Sequence, residues 1–134
     1  RFDGECNYVD AAIAKVPFEA CNREIYWIGY LKGWRPRGRV PVGLRVQKTG
    51  RTTNYTIGEV AFIHATVRVN YGGGRVATFC DQILTTPMSA PGDSGSLVSD
   101  LEERAVGLLF AGSSRVTVVN YIEHVQNLLD IVVA

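Results

Sequence analysis

"YTIGEVAFIHATVRVNYGGGRVATFCDQILTT", Tyr55 to Thr86, is the stretch on which the fold turns. Two runs rich in Val, Ile, Thr and aromatic residues flank "NYGGGR", Asn70 to Arg75. Glycine adopts the positive φ that a tight reversal needs, so the stretch reads as a hairpin of two strands. Outward from it lie further short β-branched runs separated by turn residues. "LRVQK" precedes it, and "SGSLVSD", "RAVGLLFAG" and "RVTVVN" follow, with "DLEER" as a polar turn between the last runs but one. That makes about six strands. After Asn120 the period changes, and Ile122, Val125, Leu128, Leu129 and Val132 recur at helical spacing. Closely spaced strands ended by one amphipathic helix predict an all-β fold, a six-stranded antiparallel Greek-key barrel with a C-terminal α-helix.

The barrel occupies residues 44–134 in this reading. Before it, "VDAAIAKV" (Val9 to Val16) reads as one short strand without obvious partners, and residues 17–43, rich in aromatics, Arg, Gly and Pro, read as a connector. At 134 residues, with 46% hydrophobic and 20% charged residues, the chain is one domain's worth of globular protein. Fourteen basic against thirteen acidic side chains leave +1, so no bulk field draws nucleic acid or an anionic membrane. "LKGWRPRGRV" groups Lys32, Arg35, Arg37 and Arg39 around Trp34, which reads as a solvated connector rather than a base-stacking surface. The apolar runs are too short to span a bilayer, and no targeting segment precedes them. The compartment stays open. Cys6, Cys21 and Cys80 have no metal-type spacing, and no cofactor is implied. Cys6 and Cys21 flank one short segment and are candidates for a bridge in an oxidising compartment, whereas Cys80 reads as a buried strand residue.

Chemistry concentrates in "SAPGDSGSLVSD", Ser89 to Asp100. Gly92 and Gly95 on either side of Ser94 permit a turn on which the N–H groups of Gly92 and Ser94 converge, as an oxyanion requires. Asp93 anchors that turn if it meets a buried cation. A serine between such glycines is a candidate nucleophile.

Four motifs in order, "VGLRVQKTGRTTNYTIGEV", "HATVRVNYGGG", "PGDSGSLV" and "AVGLLFAGSS", followed by the helix, resemble the second half of a chymotrypsin-like serine protease. The bacterial streptogrisin and α-lytic protease branch is the most similar. The resemblance implies a serine endopeptidase with Ser94 as nucleophile, Gly92 and Ser94 as oxyanion hole, and an ion pair between Asp93 and Arg51 of "GRTT". It identifies Asp10 of "NYVDAAIAKV" with the aspartate that orients the catalytic imidazole, residues 1–16 then being the last strand of a first barrel. The substrate pocket would be walled by Met88 to Pro91 and by Phe110, Ala111 and Gly112. With no carboxylate at Met88, it would favour a small or apolar residue over Lys or Arg. Two departures stand out: Phe110 replaces a small residue, and "GDSGSL" the commoner "GDSGGP".

The family's chain order is His, Asp, Ser, and no histidine precedes Asp10. His64 lies mid-strand and His124 on the polar side of the helix, and both read as structural. The expected partners are therefore a peptide or protein substrate and an upstream His-bearing segment of the same precursor, absent from this chain, with self-cleavage as one route to its removal. Without that base the chain should be nearly inactive, since loss of a triad member costs on the order of 10⁴-fold. A catalytically silent module that binds peptides or a protein is the alternative.

Overall fold

The computed structural model describes residues 1–133. Strands run over β1 Cys6–Asn7, β2 Gly33–Trp34, β3 Arg45–Gly50, β4 Asn54–Asn70, β5 Val76–Thr85, β6 Leu97–Asp100, β7 Arg104–Gly112 and β8 Thr117–Tyr121, and α1 covers Ile122–Leu129. The six strands from β3 onward pair antiparallel in a ring, β3 to β4 to β5 to β8 to β7 to β6 and back to β3. Ring closure leaves no strand edge running the length of the barrel. The all-β barrel with a terminal helix is thus the observed fold. β1 and β2 add to it as two-residue parallel pairings on β5 and β7.

Local sequence explains most elements. In the second half of β4, Ala61, Ile63, Ala65, Val67 and Val69 turn inward while Phe62, His64, Thr66, Arg68 and Asn70 face out, the period of two that a half-buried strand imposes. The β4–β5 turn closes with the Tyr71 N–H donating to the Arg75 carbonyl, and Gly72, Gly73 and Gly74 all hold positive φ. Val46, Val60, Ile83, Val98, Val106, Leu109 and Val119 meet inside the ring. α1 buries Ile122 and Val125 against Ala105. Val132 lies past the helix end, where Asp130 takes a left-handed conformation.

Gly107 marks the tightest strand contact. A Cβ there would fall 1.9 Å from the Asn120 carbonyl oxygen and 2.6 Å from Val119 Cγ1. Gly107→Ala should therefore destabilise the chain by roughly 1–3 kcal/mol, read as a lowered urea midpoint with an unchanged slope.

Two expectations change. Val9–Val16 forms no strand, because no neighbouring strand is present to pair with it, and Ile13, Val16 and Phe18 stand exposed. The disulfide joins Cys6 to Cys80, not Cys6 to Cys21. Parallel addition of β1 sets Cys6 opposite Thr78 and brings the Cα atoms of Cys6 and Cys80 within 5.4 Å, while Cys21 is exposed and free. No helix among the described residues is long and apolar enough to cross a membrane.

Candidate active site

The turn between β5 and β6 is built around the Asp93 carboxylate, which is fully buried. Its Oδ1 accepts from the N–H groups of Thr52 (2.8 Å) and Thr53 (3.1 Å), and its Oδ2 from Thr53 Oγ1 (2.6 Å) and the Ala90 N–H (3.0 Å). Burial pushes this carboxyl up, but those donors outweigh it and hold it well below the usual aspartate range.

The cation beside Asp93 is Lys48, not Arg51. Lys48 Nζ lies 3.6 Å from Asp93 Oδ2 and donates to Thr53 Oγ1 (2.5 Å) and the Asn54 carbonyl (2.9 Å), with both side chains 0% exposed. Burial holds the ammonium below the usual lysine range, opposed by the attraction of Asp93. Arg51 sits in the exposed β3–β4 turn and makes no ion pair among the described residues. Lys48 shares strand parity with the buried Val46, but Gln47 between them is buried as well, so the choice of Lys48 over Arg51 comes from the folded β3 rather than from a local sequence pattern.

With Asp93 turned inward, Gly92 (φ 104°) and Gly95 (φ 91°) carry the chain past Ser94 in conformations that favour glycine. A Cβ on Gly92 would meet Thr52 Oγ1 at 2.2 Å. The Asp93, Gly95 and Ser96 N–H groups donate to Ala90, Leu109 and Asp93 carbonyls, whereas the N–H groups of Gly92 and Ser94 have no acceptor among the described residues. The exposed Ser94 hydroxyl donates to the Phe110 carbonyl at 3.3 Å. It lines a hollow of about 490 Å³ shared with Ser89, Ala90, Pro91, Ala111 and Gly112.

Met88 and Phe110 are not part of that lining. Met88 is 3% exposed, inside the barrel core against Gly58, where a Cβ would stand 2.7 Å from its sulfur. Phe110 is 9% exposed and packs on Phe79 with ring centroids 4.6 Å apart. Leu109 and Ala111 line the hollow, whereas Phe110, on the opposite face of β7, joins a second apolar cluster with Ala77, Phe79 and Val118. Ser89 takes the place expected of Met88, its hydroxyl paired with Thr117 Oγ1 at 2.7 Å.

Asp10 lines a different hollow of about 270 Å³ with Val9, Tyr71 and Phe79. Its carboxylate accepts from the Tyr71 hydroxyl at 2.5 Å, and its N–H donates to Asn120 Oδ1 at 3.0 Å. Burial, then the Asp10 carboxylate, hold the Tyr71 phenol above its ordinary range.

Neither histidine reaches Ser94. Both attach to Asp81, His64 through Nδ1 at 2.8 Å and His124 through Nε2 at 2.7 Å, while Arg37 grips the same carboxylate with two guanidinium nitrogens. Burial raises the Asp81 carboxyl, and the Arg37, His124 and His64 bonds bring it well below the usual range. His64 and Asp81 sit at positive φ where the β4–β5 register slips, a convergence that no local pattern announced. Arg37 thereby fastens the connector to the barrel, as do Arg35 on Asp100 (2.6 Å) and Lys32 on Glu103 (3.2 Å). Arg39, the fourth basic residue of that group, is exposed and makes no ion pair among the described residues.

No family model matches the chain. It is 40% identical over 77 residues to "Serine protease 2" of Streptomyces fradiae, a match covering 58% of this chain and 36% of that protein. Among solved structures it is similar to Cellulomonas bogoriensis chymotrypsin (TM-score 0.67, 23% identity, 84% of this chain and 60% of that one). It is also similar to Thermobifida fusca protease A (TM-score 0.66, 21% identity, 82% and 60%). The chain thus spans between about a third and three fifths of the proteins it matches. Over 77 residues its sequence is similar to that of a bacterial serine protease, and its fold is the one seen in the bacterial chymotrypsin-like proteases.

Proposed function

We propose that the chain is the nucleophile-bearing part of a serine endopeptidase, completed by a His-bearing segment that lies upstream in the same precursor, whether joined to it or separated by self-cleavage. The observation that carries this reading is the buried Asp93 clamp, which leaves two unoccupied N–H groups beside an exposed serine hydroxyl in a hollow. Ser94 Oγ attacks the peptide carbonyl as the imported imidazole takes its proton. The oxyanion forms against the Gly92 and Ser94 N–H groups, the leaving amine takes the proton back, and water then hydrolyses the ester on Ser94. Asp10 holds the imidazole, and its exposure and single side-chain donor leave one oxygen available for that task. Residues 1–16 belong to the first barrel in this reading, which is why Val9–Val16 lacks partners. The Ser94 hollow, lined by hydroxyls and small apolar groups without a carboxylate, favours a neutral residue over Lys or Arg before the scissile bond.

A peptide-binding module without turnover is the second reading. It is favoured by the placement of Ser94 and Asp10 in separate hollows and by the engagement of both histidines with Asp81. A fluorophosphonate separates the two. In protein extended upstream to include the missing segment, it should modify Ser94, located by peptide mass, and Ser94→Ala should abolish the labelling. An unmodified Ser94 in protein that still binds peptides would establish the module instead.

A further inference from the structure

The Ser94 hollow has a neighbour. A second hollow of about 350 Å³ shares Ala111, Gly112 and Ser113 with it and lies on the other side of that strand, over Val67, Val69 and Val118; Arg68, which faces out between those two valines, also lines it, beside the edge of β4 that β3 leaves unpaired. Arg68 is exposed and forms no ion pair among the described residues, in contrast to Arg35, Arg37 and Arg104. The edge of β7 between the two hollows is open: β6 pairs with β7 only over Ala105 to Leu108, leaving Phe110 to Gly112 without a strand on that side.

An extended peptide added antiparallel to this edge runs toward Ser94, because Ser94 sits at the Phe110 end of the strand. Residues lying along Gly112 and Ser113 therefore precede the attacked bond. Side chains of an added strand alternate between its two faces. If the residue before the scissile bond enters the Ser94 hollow, the second and fourth residues from the bond turn toward the Arg68 hollow and the third does not.

We infer that the Arg68 hollow selects an acidic side chain at the second or fourth position on the amino side of the scissile bond. Its aliphatic floor takes the methylenes, and the unpaired guanidinium takes the carboxylate. This rests on the peptide groove proposed above and adds a specificity determinant to it.

The test is binding, which needs no catalytic base. Acetyl-Ala-Ala-Glu-Ala, acetyl-Glu-Ala-Ala-Ala and acetyl-Ala-Glu-Ala-Ala have equal charge and differ only in the position of the glutamate, which the first two place on the Arg68 face and the third on the other. Titrated into the ¹⁵N-labelled chain, one of the first two should bind about two- to five-fold more tightly than the third, the range of an exposed ion pair. Arg68→Gln should level the three, as should about 0.5 M salt, without reducing the affinity of acetyl-Ala-Ala-Ala-Ala. Equal binding of all three by the unsubstituted chain overturns the Arg68 assignment and leaves the groove standing. Absence of shifts at Ala111 to Ser113 with every peptide overturns the groove itself, and the assignment with it.

Discussion

Replacing Lys48 by methionine should lower the unfolding free energy by about 3–5 kcal/mol, because it leaves the Asp93 carboxylate buried without its cation. Methionine nearly fills the space of the lysine stem, so the loss reports charge rather than a cavity. Arg51→Met is the control: an exposed turn residue with no ion pair should change stability by no more than about 0.5 kcal/mol. Urea unfolding of the two variants at pH 7 distinguishes them, and equal midpoints would refute the assignment of Lys48 as counterion. The pH dependence has a definite sign. The folded Asp93 carboxyl lies below its unfolded value of about 3.9, so its contribution is complete above that value and is lost as pH falls toward the folded one. Removing Lys48 takes away a cation 3.6 Å from the ionised carboxylate, so the variant should unfold at a higher pH during acid titration. The same clamp orients the Gly92 and Ser94 N–H groups, so Lys48→Met in the completed protein should also slow labelling of Ser94.

Loss of the Cys6–Cys80 bridge is the other large effect. The bridge closes a loop with a sequence separation of 74, and constraining the unfolded chain over that length is worth about 4 kcal/mol in the chain-entropy description. Reduction, or the Cys6→Ser, Cys80→Ser pair, should lower stability by that order, while Cys21→Ser leaves it unchanged. Alkylation followed by mass analysis checks the pairing directly. The oxidised chain should take up one alkyl group, at Cys21, and the reduced, unfolded chain one at each cysteine. Alkylation at Cys6 or Cys80 before reduction would remove the bridge from the account.

The sequence by itself determined the hairpin at Asn70 to Arg75, the strands from β3 to β8, the helix after Asn120 and the turn around Ser94. All of these rest on interactions between residues near in the chain: a period of two or 3.6, or a glycine where φ is positive. It also required that Asp93, once buried, find a cation, but not which one. Arg51 and Lys48 are both close in sequence, and only the folded β3 decides for Lys48. Only the tertiary structure decided the rest: Cys80 as partner of Cys6, Met88 and Phe110 in the interior, Ser89 at the hollow, and His64, His124 and Arg37 on Asp81. Each depends on strand register and on pairings across tens of residues, such as β1 on β5 and α1 over β7. Those are set by how the whole ring closes and buries its apolar faces, a condition that no short window of sequence contains.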